Sequence, residues 1–242
     1  MHHMLQNITY LYDRKLGASD GEIGHVKDIY FDDKTWSIRY LVADTGSWLS
    51  ERLVLLAPAA FGLFAFGEGD TENHVLRVNL TRKQIEDSPP IESHRPVSRK
   101  FEEDYHRYYG WPSYWQDSAS WSGASLPAFA PPMAEGFEPR PAPAKSEDLH
   151  LRSTRAMTGY RVLATDGPVG TIRSFVAHQR SWKLREIVVD AGHWYSGKDI
   201  LVLPENVIRI QAQDSTIALD LTREDIQGTR RNDVAQAGAG RM

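Results

Sequence analysis

Asp44 and Asp190 hold equivalent places in a chain of 242 residues: each ends an apolar run, and a glycine, Gly46 or Gly192, follows two positions later. Brought face to face, two such carboxylates could share acid–base work. The local reading is preferred, because Asp side chains readily accept hydrogen bonds from the backbone of a turn that they open. Asp28, Asp32 and Asp33 could offer oxygen ligands to a cation. The matching residues later in the chain are Ser174, His178 and Gln179, so a solvated hairpin tip is the expectation there. The nine histidines have no His-x-His or His-Glu-x-x-His spacing, and no metal site is assigned to them. Gly67 to Gly69 lacks the strand-to-helix setting and the Lys-Ser/Thr of a phosphate loop. Cysteine is absent, which excludes thiolate nucleophiles, disulfides and cysteine-ligated zinc. These residues define no catalytic set and call for no cofactor.

What positions Asp44 and Asp190 is a duplication. Gly17 to Pro58 recurs 146 positions later as Leu163 to Pro204, with no insertion or deletion. Asp20-Gly21 meets Asp166-Gly167, Gly24 meets Gly170, Trp36 meets Trp182, and Trp48 meets Trp194. Asp-Gly pairs signal tight turns, so Asp20, Gly21, Gly24 and Asp44, with Asp166, Gly167, Gly170 and Asp190, read as structural turn residues. Strands are expected over Ile23 to Phe31, Trp36 to Asp44 and Leu53 to Leu56, and again over Val169 to Ala177, Trp182 to Asp190 and Ile200 to Leu203. The pattern reads as successive antiparallel strands. Ile38, Tyr40 and Val42 alternate with Arg39, Leu41 and Ala43, a half-buried pattern whose outer face is also partly apolar. Each copy ends in Leu-Thr-Arg, at Leu80 and Leu221, followed by charged residues and an isoleucine. That shape reads as a short helix with a Thr N-cap.

The expected architecture is therefore mainly β: two small β-barrels in tandem, each closed by a short helix and joined by a Pro/aromatic-rich linker. The boundaries are 1–88 for the first barrel, 89–147 for an aromatic and then Pro/Ala-rich linker, 148–228 for the second barrel and 229–242 for a disordered tail. Units of this size bury only about 60–65% of their unfolded surface, so each gains from packing against something. The net charge of −4 gives no footprint for nucleic acid. No apolar run reaches the ~20 residues of a membrane span, and a cytoplasmic protein is the default expectation.

Ser98 to Tyr109 could form a short helix, with Ser98 as N-cap and Glu102, Glu103 and Asp104 near its positive end. The candidate interface residues are Tyr105, Tyr108, Tyr109, Trp111, Tyr114 and Trp115, with Trp48 and Trp194 in the repeated loops. For the stretch from Tyr105 to Trp121 the first reading is a clasp that packs on one of the barrels or between them, and the second is a partner-binding strip. For Trp48 and Trp194, interface and local packing both stay open. Trp36 and Trp182 read as strand starts covering a barrel end.

Asp-Gly-x-x-Gly, a strand, a polar turn, then a strand ending in an Asp before Gly and Trp resembles the PRC-barrel domain. That barrel is shared by the cytoplasmic part of the photosynthetic reaction centre H subunit and the C-terminal domain of the bacterial ribosome maturation factor. The resemblance covers Asp13 to Ile85 and Thr154 to Ile226. It implies a docking module with no family catalytic residues. Three functions follow as expectations. The first is a non-catalytic scaffold with an unidentified protein partner, its barrels paired within one chain or in a homodimer. The second is an accessory or assembly factor of a photosynthetic complex, and the third is a small-ligand binder or enzyme with a site between barrels.

Overall fold

The computed structural model describes residues 5–50, 52–61, 75–89, 97, 99–111, 150–192 and 199–226. Its strands are β1 (Leu5–Asn7), β2 (Lys15–Ala18), β3 (Gly21–Asp32), β4 (Ser37–Asp44), β5 (Leu53–Leu56), β6 (Val75–Arg77), β7 (Leu151–Ser153), β8 (Arg161–Ala164), β9 (Gly167–His178), β10 (Lys183–Asp190), β11 (Asp199–Val202), β12 (Val207–Gln211) and β13 (Thr216–Leu219). The helices are α1 (Arg82–Glu86), α2 (Arg99–Tyr109) and the single turn α3 (Thr154–Met157). The protein is mainly β. Two compact units divide it. Unit 1 is drawn from residues 1–6, 10–153 and 178–183, and unit 2 from 7–9, 154–177 and 184–242. Among the described residues no helix is long and apolar enough to cross a membrane.

In unit 1 the strand order is β6-β2-β3-β4-β5. The long hairpin β3–β4 runs from His25↔Asp44 to Asp32↔Ser37, with register shifts after Val26 and Tyr30. Such bulges bend the strands and raise their twist, which curls a sheet. An all-antiparallel order was expected, but β6 pairs parallel to β2. The three strands between them supply the long crossover that a parallel pair needs. Strand β7 lies against the far end of β3, with Tyr30↔Ser153 and Asp32↔Leu151. There Ser153 Oγ donates to Asp28 Oδ2 at 2.5 Å, and Arg152 Nε to Asp33 Oδ2 at 2.8 Å. Asp32 is buried and accepts the amides of Lys34 and Thr35 at 3.0 and 2.9 Å. The three carboxylates expected at a solvated tip are instead used in holding that tip and β7 in place.

Trp36 and Trp182 do not start strands. Each sits one residue earlier, in a left-handed conformation with φ of 54° and 53°, which bulky residues seldom adopt. The backbone N–H of each bonds four residues back, to the Asp32 or His178 carbonyl. Ring contacts hold them there: Trp36 stacks on Phe31 with centroids 5.2 Å apart, and Trp182, whose tip belongs to unit 1, lies 5.5 Å from Phe61.

Unit 2 repeats the plan with the order β12-β13-β8-β9-β10-β11. Its closing pair β13–β8 is again parallel. Val169, Ile172, Ile187, Val189, Ile200 and Val202 are buried and supply its core. Residues 7–9 belong to this unit, and Asn7 Nδ2 donates to Ser174 Oγ at 2.8 Å. Asn7–Ser174 and Ser153–Asp28 occupy positions related by the same 146-residue offset. In each unit the segment lying just before the opposite repeat supplies this bond.

The turn residues have direct causes. A Cβ at Gly24 or Gly170 would stand 2.0 Å from the carbonyl oxygen of Asp44 or Asp190, so only glycine allows the two backbones to approach. Asp20 Oδ1 accepts the Arg82 N–H at 2.7 Å, and Asp166 Oδ1 the Arg223 N–H at 2.9 Å, which ties each tight turn to the start of a closing helix. Thr81 caps α1 through a capping box with Gln84. In unit 2 the turn at 223–226 is capped by Thr222, whose Oγ1 accepts the Asp225 N–H at 3.1 Å while Asp225 Oδ2 accepts the Thr222 N–H at 2.9 Å.

Candidate functional site

The two carboxylates that could have shared a proton do local work. Asp44 Oδ1 accepts the Gly46 N–H at 3.0 Å, and Asp190 Oδ1 accepts the Gly192 N–H at 3.0 Å. The Gly46 amide, helped by Lys27 Nζ at 2.9 Å, holds the Asp44 carboxyl below the usual carboxylate range.

The aromatic segment is organised by α2 in unit 1. Tyr105 is fully buried, and its hydroxyl donates to the Leu55 carbonyl of β5. Its ring meets Tyr40 of β4 edge-on at 5.6 Å and Tyr109, one helical turn on, at 4.9 Å. Tyr109 and Trp111 stack at 4.4 Å. Tyr108 and Tyr109 hydroxyls reach the Gln84 carbonyl at 3.0 and 3.4 Å, so α2 also grips α1. Burial raises the pKa of Tyr105 and Tyr109 well above the ordinary phenol value, and that of Tyr108 by a similar route, assisted by Asp87. Burying each such side chain contributes roughly 1.5–3 kcal/mol before the entropy of ordering is counted. Tyr105, Tyr108 and Tyr109 are therefore structural here, and they work as a clasp.

The sequence did not disclose the polar cluster under the clasp. Glu102 of α2 is completely buried; its Oε1 accepts the Tyr40 hydroxyl at 3.0 Å, and its Oε2 lies 2.9 Å from His150 Nε2 and 3.5 Å from Arg99 Nη1. His106 Nε2 lies 3.1 Å from the Tyr40 hydroxyl. Glu102 looked like an acid placed for the helix N-terminus, and the two histidines looked scattered. The spacing of Glu102 and His106, one turn apart on one helix face, was the available signal. Nothing in the sequence linked them to Tyr40 or His150. Among the described residues no group of three is arranged to hold a metal ion.

Trp48 lies half-buried in the short 3-10 turn Gly46–Leu49, with the Arg82 guanidinium 4.5 Å above its ring. Trp111 is also half-buried. Trp194, Tyr114, Trp115, the N-cap Ser98, the Pro/Ala-rich part of the linker and the 229–242 tail lie outside the described residues.

The faces outside β4–β5 and β10–β11 correspond residue by residue. Val42 pairs with Leu55 in unit 1 and Val188 with Leu201 in unit 2. Under α2, Leu55 is 1% and Ala57 3% exposed; Leu201 and Leu203 at the same places are each 44% exposed. Ile208 of β12, at 66%, completes the exposed large apolar residues among those described.

A curled, mainly β unit with a parallel closing strand, a glycine-enforced backbone contact and a capped short helix defines a small barrel-type domain. Residues 16–85, from β2 to α1, match the family model described as PRC-barrel domain, and this part of the chain is a PRC-barrel. No curated protein matches the chain.

Proposed function

We propose that the protein is a non-catalytic scaffold of two PRC-barrels in tandem, and that it works by holding a partner protein on unit 2. A second barrel is supported by the gapless repeat, by β9 and β10 having the same 12 and 8 residues as β3 and β4, and by the identical backbone contacts at Gly24 and Gly170. The observation that carries the docking role is the outer face of β11. Leu201 and Leu203 stand open to solvent where the equivalent face of unit 1 is sealed. Exposed apolar residues grouped on one face favour an interaction site. The test is affinity capture with the tagged full chain from its native cells, wild type against the double variant Leu201→Lys/Leu203→Lys, with partners quantified by mass spectrometry. A stoichiometric partner lost in the variant is the expected result. Equal capture by both, or capture of nothing, would overturn the reading.

A further inference from the structure

The two short leading strands are exchanged: β1, which precedes the first repeat, pairs with β9, and β7, which precedes the second, pairs with β3. Each long strand thus offers a seat. We infer that Asp33 and Arg152, supported by Asp28 and Ser153, form a charge key that admits Leu151–Ser153 to β3 and leaves β9 to Leu5–Asn7, so that side-chain chemistry decides which segment takes which seat.

The seats use the same four positions and differ in charge. On β3 and its tip, Arg152 Nε donates to Asp33 Oδ2 at 2.8 Å and Ser153 Oγ to Asp28 Oδ2 at 2.5 Å. On β9 and its tip, Gln179 Nε2 donates to Gln6 Oε1 at 2.9 Å and Asn7 Nδ2 to Ser174 Oγ at 2.8 Å. By the 146-residue offset Gln6 corresponds to Arg152, Asn7 to Ser153, Ser174 to Asp28 and Gln179 to Asp33. One seat holds an ion pair, and the other is neutral throughout. The backbone offers little to tell the segments apart, because both are three-residue strands that open on leucine and are half-buried along their length. Discrimination falls to the side chains. Arg152 and Asp33 are 25% and 17% exposed, and a partly buried pair is screened less than a surface one. Seated on β9, Arg152 would meet the amide of Gln179 in place of a carboxylate; seated on β3, Gln6 would bring no cation to Asp33. Exchanging the segments therefore forfeits the ion pair and creates none, a preference of about fivefold or more. Closely similar segments are the setting in which strand exchange goes astray.

The experiment uses the full chain with methyl-labelled leucines, Leu5 and Leu151 assigned, and contacts from their methyls to the amides of β3 and β9 read by NMR. Asp28→Ser/Asp33→Gln writes the β9 seat onto β3, and Asp33→Arg/Arg152→Asp keeps the ion pair with its polarity reversed. In the wild type Leu151 should contact β3 alone and Leu5 β9 alone. The neutralised variant should add a second form, at least about fivefold more populated than in the wild type, in which Leu151 contacts β9 and Leu5 contacts β3. The reversed pair should keep the single wild-type seating. Should the neutralised double variant fail to fold, Asp33→Gln alone is read by the same contacts. A single seating in the neutralised variant overturns the inference, since chain connectivity would then decide. So does a second form in which Leu151 contacts neither strand, which is fraying of β7, and so does a second seating in the reversed pair.

Discussion

Units 1 and 2 share strands, register and turn chemistry, yet treat one face in opposite ways. In unit 1 Leu55 and Ala57 are sealed at 1% and 3% exposure, with α2 bound to β5 through the Tyr105 hydroxyl; in unit 2 Leu201 and Leu203 are each 44% exposed, although Val188 beside Leu201 is buried. The difference starts at a few positions. Tyr40, which donates to Glu102, has Glu186 as its counterpart, and Ala57 has Leu203. Duplicated units thus keep what builds the sheet and diverge where the sheet meets a neighbour.

The sharpest way to break the comparison is to remove the clasp. Tyr105→Ala should cost about 3–5 kcal/mol, the usual range for losing a buried aromatic ring, whereas Leu201→Ala should stay within about 0.5 kcal/mol as a surface change. Urea unfolding of both variants checks this, and equal losses would mean that the two faces are alike. At shared positions the damage should be shared: Gly24→Ala and Gly170→Ala should each cost about 3 kcal/mol, because the new Cβ drives into a backbone carbonyl. Hydrogen exchange should locate each loss in the altered unit.

Titration should also separate the regions. Tyr105 and Tyr109 have raised folded pKa values. Their contribution is complete below the unfolded phenol value of 10.0 and is lost as pH rises beyond it. Near-ultraviolet absorbance should therefore register phenolate formation together with release of α2. Asp44 has a lowered value, so its contribution is complete above the unfolded 3.8 and falls away as pH drops below that. Asp44→Asn should flatten the acid limb of stability against pH. The smallest effect expected is at the caps: Thr81→Ala and Thr222→Ala should each cost about 1 kcal/mol, measurable by thermal unfolding and similar in the two units.

The sheet was legible in the sequence to the extent that local chemistry repeats. Leu53–Leu56 was placed to the residue, and the Thr81 cap followed from its residue types. Strands β3 and β9 each begin two residues earlier than expected, directly at the glycine of the turn. Trp36 was misplaced because left-handed conformations are associated with Gly and Asn, and the stacking on Phe31 that offsets its strain depends on tertiary structure. The parallel pairs β2–β6 and β8–β13 and the three-residue strand β7 carry no periodic signal long enough to read. The aromatic content of Tyr105 to Trp121 left a clasp and a partner-binding strip both open, and the burial of Tyr105, Tyr108 and Tyr109 against unit 1 is what only the folded chain displays. The clasp's buried Glu102–Tyr40–His150 contacts join three distant segments, and only the folded chain brings them together. The exposed face of β11 was hidden for a related reason: Leu55 and Leu201 are the same residue type in the same pattern, and what differs is the cover.

Carbene footprinting of the free protein, read by mass spectrometry at single residues, tests the central contrast most directly. The account predicts strong labelling at Leu201 and Leu203 and protection at Leu55 and Ala57, with Leu55 rising to the level of Leu201 once Tyr105 and Tyr109 are replaced by alanine. Equal labelling of Leu55 and Leu201 in the wild type would contradict it.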